Sequence, residues 1–258
     1  MRVLWLMVPF LLFGGEHTAV VEPIEVYHHK AAAGGAVVEA RSELEGSEVR
    51  DAVVVRIDDR LDRAQLKATR KKLAILERNL EAERASAKAL RRLADLRRKM
   101  YERIRDLRTK SQVEKERRLA EYLSAQNLYL AQRAKLASLE MQREDLRLAI
   151  TRLEDTIAKK NPKLSGYLFR LYPRRGDYLT PGAPLADVAD TSRAKVVVYL
   201  SREEAEGIES KKITAGGRPA KLLRLIRIPD ERHLGQYRAE IEVERPQIFG
   251  KLIKVEIR

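Results

Sequence analysis

The chain has 258 residues, 35% of them charged, a formal net charge of +14 and no cysteine. That length allows one large domain or two or three small ones. The missing cysteine excludes disulfides, thiolate metal sites, a cysteine nucleophile and a lipid carried on an N-terminal cysteine. The excess positive charge suits acidic partners (nucleic acid, anionic lipid or an acidic protein surface), although a solvated basic helix face is the plainer account of it.

In chain order, Met1-Arg2 precedes an apolar core from Val3 to Phe13. One positive residue before a short apolar core predicts a signal peptide or N-terminal anchor over residues 1–15. The core is too short to span a bilayer comfortably. Residues 19–27, 36–40 and 52–57 are β-branched and partly alternating, which predicts strands, with a turn near Gly46.

Residues 59–160 hold no glycine or proline and are rich in Ala, Leu, Arg, Lys and Glu, the composition of long helix. They carry 28 Lys/Arg against 16 Asp/Glu, an excess of 12. Residues 84–118 alone carry 14 against 5. Ser111 followed three residues later by Glu114 is a capping box, a helix start inside the run. The run is therefore predicted to be a hairpin over 59–161, with its turn near 108–111.

Leu66, Leu73 and Leu80 fall seven apart, as do Leu139, Leu146 and Leu153. Folding between Thr109 and Lys110 brings together residues whose numbers sum to about 219. Leu66 then meets Leu153, Leu73 meets Leu146 and Leu80 meets Leu139. Further layers are expected at Leu96 with Leu123 and Met100 with Leu119. The spacing slips between Ala87 and Leu93, which predicts a stutter. Each arm should reach roughly 70 Å at 1.5 Å per residue. Asp58-Asp59 suits the start of the first arm, and Lys159-Lys160-Asn161-Pro162 the end of the second.

Residues 164–190 follow as strand, turn, short strand, turn, strand. Gly176-Asp177 and Pro181-Gly182 supply the turn chemistry. From residue 195 the pattern is strands at 196–200, 219–228, 237–244 and 251–257, with a short helix from the capping-type start Ser201–Glu204 to about Ile208. Strands of this spacing suit a small β-barrel. The β pieces flanking the hairpin are each too short to bury a core, but together they could form a small sandwich.

At this point the sequence resembles the membrane fusion proteins, the periplasmic adaptors (HlyD-like) of tripartite efflux and secretion systems. Gly166-Tyr167-Leu168, Gly176-Asp177-Tyr178-Leu179-Thr180-Pro181-Gly182-Ala183-Pro184-Leu185 and Val188-Ala189-Asp190 look like the second half of that family's split lipoyl-like domain. Gly46, Val49 and Ile57-Asp58-Asp59 resemble its first half, with Ala52 where a second glycine is usual. Residues 195–209 and 250–257 look like its β-barrel. The resemblance implies an α+β fold: a long antiparallel coiled-coil α-hairpin inserted into a split lipoyl-like β-sandwich, followed by a small β-barrel. The implied divisions are 1–15 signal or anchor, 16–34 a strand segment joining the barrel, 35–58 and 162–190 the lipoyl-like halves, 59–161 the hairpin and 191–258 the barrel.

The same resemblance implies a periplasmic protein associated with the inner membrane. It would self-associate into a ring and link an inner-membrane transporter, of the proton-driven RND or ATP-driven ABC type, to an outer-membrane channel. Arg103, Leu107 and Ser111 resemble the channel-docking set of pump adaptors, with a shorter Leu-to-Ser spacing. Their plainer roles are a solvated Arg103, a Leu107 closing the helix core and a Ser111 cap with Glu114. Gly176 and Gly182 would be the lipoyl-like turn glycines.

No enzyme constellation stands out. His17, His28, His29 and His233 are scattered, without the i, i+4 histidine pair and acidic partner of a zinc helix. No Gly-Lys-Ser/Thr phosphate loop occurs. Met100 and Met141 suit gap-filling more than metal binding. A lipoyl or biotinyl carrier needs a lysine on the turn that the hairpin occupies. The expectation is therefore a non-enzymatic protein without cofactor or metal. The alternative is a basic coiled-coil scaffold or nucleic-acid-binding protein, disfavoured by the signal and the few aromatics near the tip.

Overall fold

In a computed structural model, the described residues are 15–229, 233 and 235–258. All but the last residue of the expected signal or anchor lies outside them. The chain divides into a helical unit, residues 57–161, and a β unit made from the chain on either side.

In the helical unit, α1 (Arg60–Arg105) and α2 (Gln112–Lys160) run antiparallel across a turn at residues 106–111. Asp58 caps the start of α1. It accepts from the Arg60 N–H at 3.1 Å and from the Arg60 guanidinium, which holds its carboxyl down to about 2. The open end of the hairpin is clamped by a hydrogen bond and an ion pair between the arms. Asn161 Nδ2 donates to Asp59 at 2.7 Å, and Lys160 Nζ reaches Asp62 at 2.6 Å.

The buried residues of α1 are Leu76, Leu80, Ala87 and Ala94, and that of α2 is Ala125. Half-buried residues fill the places between them, and alternating steps of three and four run unbroken along both helices. In α1 the series passes through Leu80, Glu83, Ala87, Leu90, Ala94 and Arg97. The two series mirror each other: the numbers of matching positions sum to 219, which sets Leu80 level with Leu139 and Ala94 level with Ala125. This is a heptad seam.

The expected stutter between Ala87 and Leu93 is absent. The expected layers Leu96 with Leu123 and Met100 with Leu119 do not form, since Leu96, Leu123 and Met100 are 50%, 47% and 37% exposed. The seam keeps its period by running through alanines. Their small side chains let the helix backbones stay close and leave the neighbouring leucines outside.

The long strands of the β unit pair antiparallel. Its strands are β1 (Gly15–Lys30), β2 (Gly35–Ala40), β3 (Ser47–Val53), β4 (Val55–Ile57), β5 (Lys163–Leu171), β6 (Tyr178–Leu179) and β7 (Pro184–Leu200). After α3 (Arg202–Ala205) come β8 (Ile213–Ala215), β9 (Arg218–Pro219), β10 (Lys221–Leu225), β11 (Tyr237–Val243) and β12 (Leu252–Ile257). Two long strands organise it. The first half of β1 pairs with β12, and its second half pairs with β7. The first half of β7 also takes β5, and its second half β11.

One curled sheet, ordered β10-β11-β7-β1-β12-β8-β9, closes over a core that includes Val196, Val198, Leu200, Ile208, Ile241 and Val255. Beside it, β3 and β5 extend the sheet from β7, and β4-β2-β6 form a second small sheet.

Several sequence expectations are corrected here. The strands expected at 164–190 and 196–200 share one continuous β7 through a bulge at residues 191–193, where Pro23 pairs with Ala194 but Glu25 with Asp190. The strand expected at 52–57 is two strands broken at Val54. The short helix ends at Ala205, followed by a 3₁₀ turn, Ile208–Ser210.

The seam assignment gives a direct contrast. Leu80→Ala removes a side chain that is 1% exposed and should destabilise the hairpin by about 2–5 kcal/mol. Leu96→Ala, outside the seam, should change stability by less than about 0.5 kcal/mol. Thermal melts followed by circular dichroism check both; equal losses would refute the alanine seam.

Candidate functional site

The turn of the hairpin is built from a frayed helix end and a capped helix start. α1 ends at Arg105 with Asp106 as its C-cap. Ser111 Oγ accepts the Glu114 backbone N–H at 3.3 Å and so satisfies one of the free donors at the start of α2. The capping box is half-made. The Glu114 carboxylate instead takes Lys110 Nζ at 3.3 Å. Arg103 lies exposed in the last turn of α1. Leu107 lies in the turn, 45% exposed, so it does not close the helix core.

Arg103 and Leu107 belong to a larger feature. Leu93, Leu96, Met100, Arg103 and Leu107 repeat at steps of three and four residues along one side of α1 and into the turn. Within the helix each lies one residue before a seam position, hence about 100° around the helix from it. This is a second knob-bearing stripe, outside the seam of the hairpin and partly exposed. The sequence reading assigns Leu96, Met100 and Leu107 to the core, whereas they lie 50%, 37% and 45% exposed. Their own three–four spacing was the signal that could have revealed the stripe.

Charge follows the same division. Between the open end and the middle, Arg70–Glu154, Glu77–Arg147 and Arg84–Glu140 link the arms at 2.5, 3.3 and 2.7 Å. Toward the turn, among the described residues, only Arg97–Glu121, at 2.6 Å, does so. There Arg92, Lys99, Arg103 and Arg108 have no ion pair among the described residues. The turn end is thus cationic and apolar-striped.

In the β unit, Gly176 and Gly182 have φ of +96° and +88°, the left-handed region where a Cβ is strained. Their N–H groups donate to Val37 O at 2.9 Å and Ala31 O at 2.8 Å, tying both turns to the chain before the hairpin.

The histidines are less isolated than the sequence suggested. His17 Nε2 meets Glu204 at 3.2 Å. His28 Nδ1 and Tyr172 OH both lie 2.7 Å from the buried Asp187 carboxylate. These partners are 15 to 187 residues apart, so no local motif announces them. Burial pushes the Asp187 carboxyl up, but the bonds from His28 and Tyr172, with Arg170 nearby, outweigh it and hold it below the usual range. Burial lowers the His29 imidazole, against the opposing pull of Asp187. Among the described residues no group of three potential metal ligands occurs. No helix among them is long and apolar enough to cross a membrane.

No protein-family model matches the chain, and no curated protein matches it. Solved structures do. MacA from Actinobacillus actinomycetemcomitans superposes with a TM-score of 0.74 at 15% identity, over 95% of this chain and 78% of that one. The membrane fusion protein Spr0693 from Streptococcus pneumoniae R6 gives 0.64 at 10% identity, over 95% and 98%. The fold is that of a membrane fusion protein. A MacA–MexA chimera carrying the Pseudomonas aeruginosa MexA α-hairpin domain also matches, at 0.52 and 14% identity over 95% and 78%. At such identities a membrane-fusion-protein likeness is one of fold, so the roles of side chains rest on this chain's own chemistry.

The buried Asp187 gives a signed expectation. Its folded carboxyl titrates below an ordinary aspartate near 3.9, so its contribution to stability is complete above that pH. The contribution is lost as pH falls through the lower folded value. Asp187→Ala should cost about 2 kcal/mol at neutral pH and flatten the acid limb of the stability curve. Urea melts at pH 7 and in the acid range test this; an unchanged acid limb would contradict it.

Proposed function

We propose that the protein is a periplasmic adaptor associated with the inner membrane, joining an inner-membrane transporter to an outer-membrane channel for efflux or secretion. Residues 35–58 and 162–190 form the split lipoyl-like sandwich, and 191–258 with 16–34 form the small β-barrel that meets the transporter. The transporter is of the RND or ABC type. The hairpin, residues 59–161, supplies reach to the channel. The role is structural, with no catalysis or cofactor.

The observation that carries this reading is the stripe Leu93, Leu96, Met100, Arg103 and Leu107 at the turn end. A coiled-coil hairpin complete in itself needs one seam per helix. A second stripe with the same spacing is suited to pack against a further helix. Copies set side by side in a ring would cover its inner part. The tip set Arg103, Leu107 and Ser111 would remain for helices at the channel entrance. Arg103 and Arg108, without an ion pair among the described residues, would steer approach to an acidic rim and fix orientation more than they add affinity.

The test is in-cell crosslinking and co-purification. Arg103→Glu combined with Leu107→Asp alters only exposed side chains, so the hairpin should melt as wild type while channel recovery falls at least about tenfold. Undiminished recovery would overturn the docking role.

A further inference from the structure

The β unit contains a cleft that the adaptor role does not use. On β5, Leu168 is buried while Tyr167 and Phe169 point the other way. The loop between β11 and β12 lies over them. That loop is pinned at its end, where Gly250 N–H donates to Val21 O at 2.9 Å. Its Phe249 packs on the edge of the neighbouring core, and its Ile248 is 82% exposed. Between loop and strands lies a cavity of about 610 Å³, lined by Val26, Tyr167, Phe169, Ile248 and Phe249 among others. That volume lies in the range of small-molecule sites, roughly 300–1,000 Å³.

A second cavity of about 600 Å³ shares Glu48, Thr191 and Arg245 with the first. Its other residues include Arg50, Ser165, Asp190 and Ser192. The two cavities are neighbours, the first with the more apolar lining and the second with the more polar one.

Charge decides what fits. Asp190 is engaged locally, accepting the Ser192 N–H at 2.9 Å. Arg50, Arg245 and Glu48 have no ion pair among the described residues. The guanidinium groups of Arg50 and Arg245 and the carboxylates of Glu48 and Asp190 are equal in number, but Asp190 is held by Ser192, which leaves Arg245 ready to take an anion. A guanidinium matches carboxylate and sulfonate oxygens in bidentate geometry, and Arg245 borders both chambers.

We propose that this cleft binds a small anionic amphiphile, with its aromatic or alkyl body on Tyr167, Phe169 and Ile248 and its carboxylate or sulfonate on Arg245. The site is independent of the hairpin and of the adaptor reading.

The full chain titrated with 1-anilinonaphthalene-8-sulfonate, a naphthalene body carrying a sulfonate, should give saturable fluorescence at one site. Decanoate should displace it. Arg245→Glu should weaken binding at least about tenfold, as loss of a charge-assisted bond implies. Ile248→Asp should do the same; because Ile248 is largely exposed, it keeps the test valid if Arg245→Glu misfolds. Glu48→Gln should tighten binding. Overturning results are non-saturating fluorescence, affinity unchanged in the folded variants, or tighter binding of the cation ethidium than of the sulfonate.

Discussion

The helical unit rests on one constraint: two antiparallel helices must keep their contact stripes in step over their whole length. An ideal helix drifts about 20° per heptad from a 3.5-residue repeat, so a strict seam holds only if the helices wind around each other without slipping. Here the seam never slips, and every matching pair of positions keeps the same sum. The cost falls on composition. Where the period lands on Ala87, Ala94 and Ala125, the seam takes alanine and leaves nearby leucines in water. The exposed stripe is thus a consequence of the same periodicity that straightens the hairpin.

The ion pairs follow from this register. Arg70–Glu154, Glu77–Arg147 and Arg84–Glu140 join positions whose numbers also share one sum, 224, so they line a single edge. Each exposed pair contributes little to stability. Together they disfavour a shifted register, because a slip would set like charges against each other. Toward the turn the acids run out and that edge loses its rungs. The open end is clamped between the arms, whereas the turn end holds several cations without an ion pair among the described residues and an exposed apolar stripe.

Much of the hairpin was legible because its signals are local. The run without glycine or proline, Ser111 and the three inner leucine layers all lie in one stretch of chain. The outer layers were misread because leucine identity was weighed above spacing, and geometry overrules identity in a periodic contact. The β unit was harder to read. β1 and β7 run for 16 and 17 residues, each serving two groups of partners, and β7 absorbs its irregular residues 191–193 in a bulge. A bulge lets one strand change partners without ending, and the sequence pattern alone records only the interruption. The His28–Asp187–Tyr172 cluster was invisible for a different reason: only the pairing of β1 with β7 brings His28 opposite Asp187.

That same pairing explains why the cleft lies where it does. Beyond Asp190 the first partner of β7 has ended and the second begins only at Ala194, so the residues of the bulge lie outside both ladders. The β11–β12 loop returns beside this gap, and the outward face of β5 supplies two aromatic rings. A strand shared between two β regions cannot be covered equally on both faces at the point where it changes partners. The surface left there combines aromatic carbon with guanidinium groups that have no ion pair among the described residues. The hairpin stripe is suited to a long partner of matching period. The cleft is closed on several sides and bounded in volume, so its complement is a small molecule, and the two surfaces need not answer to the same partner.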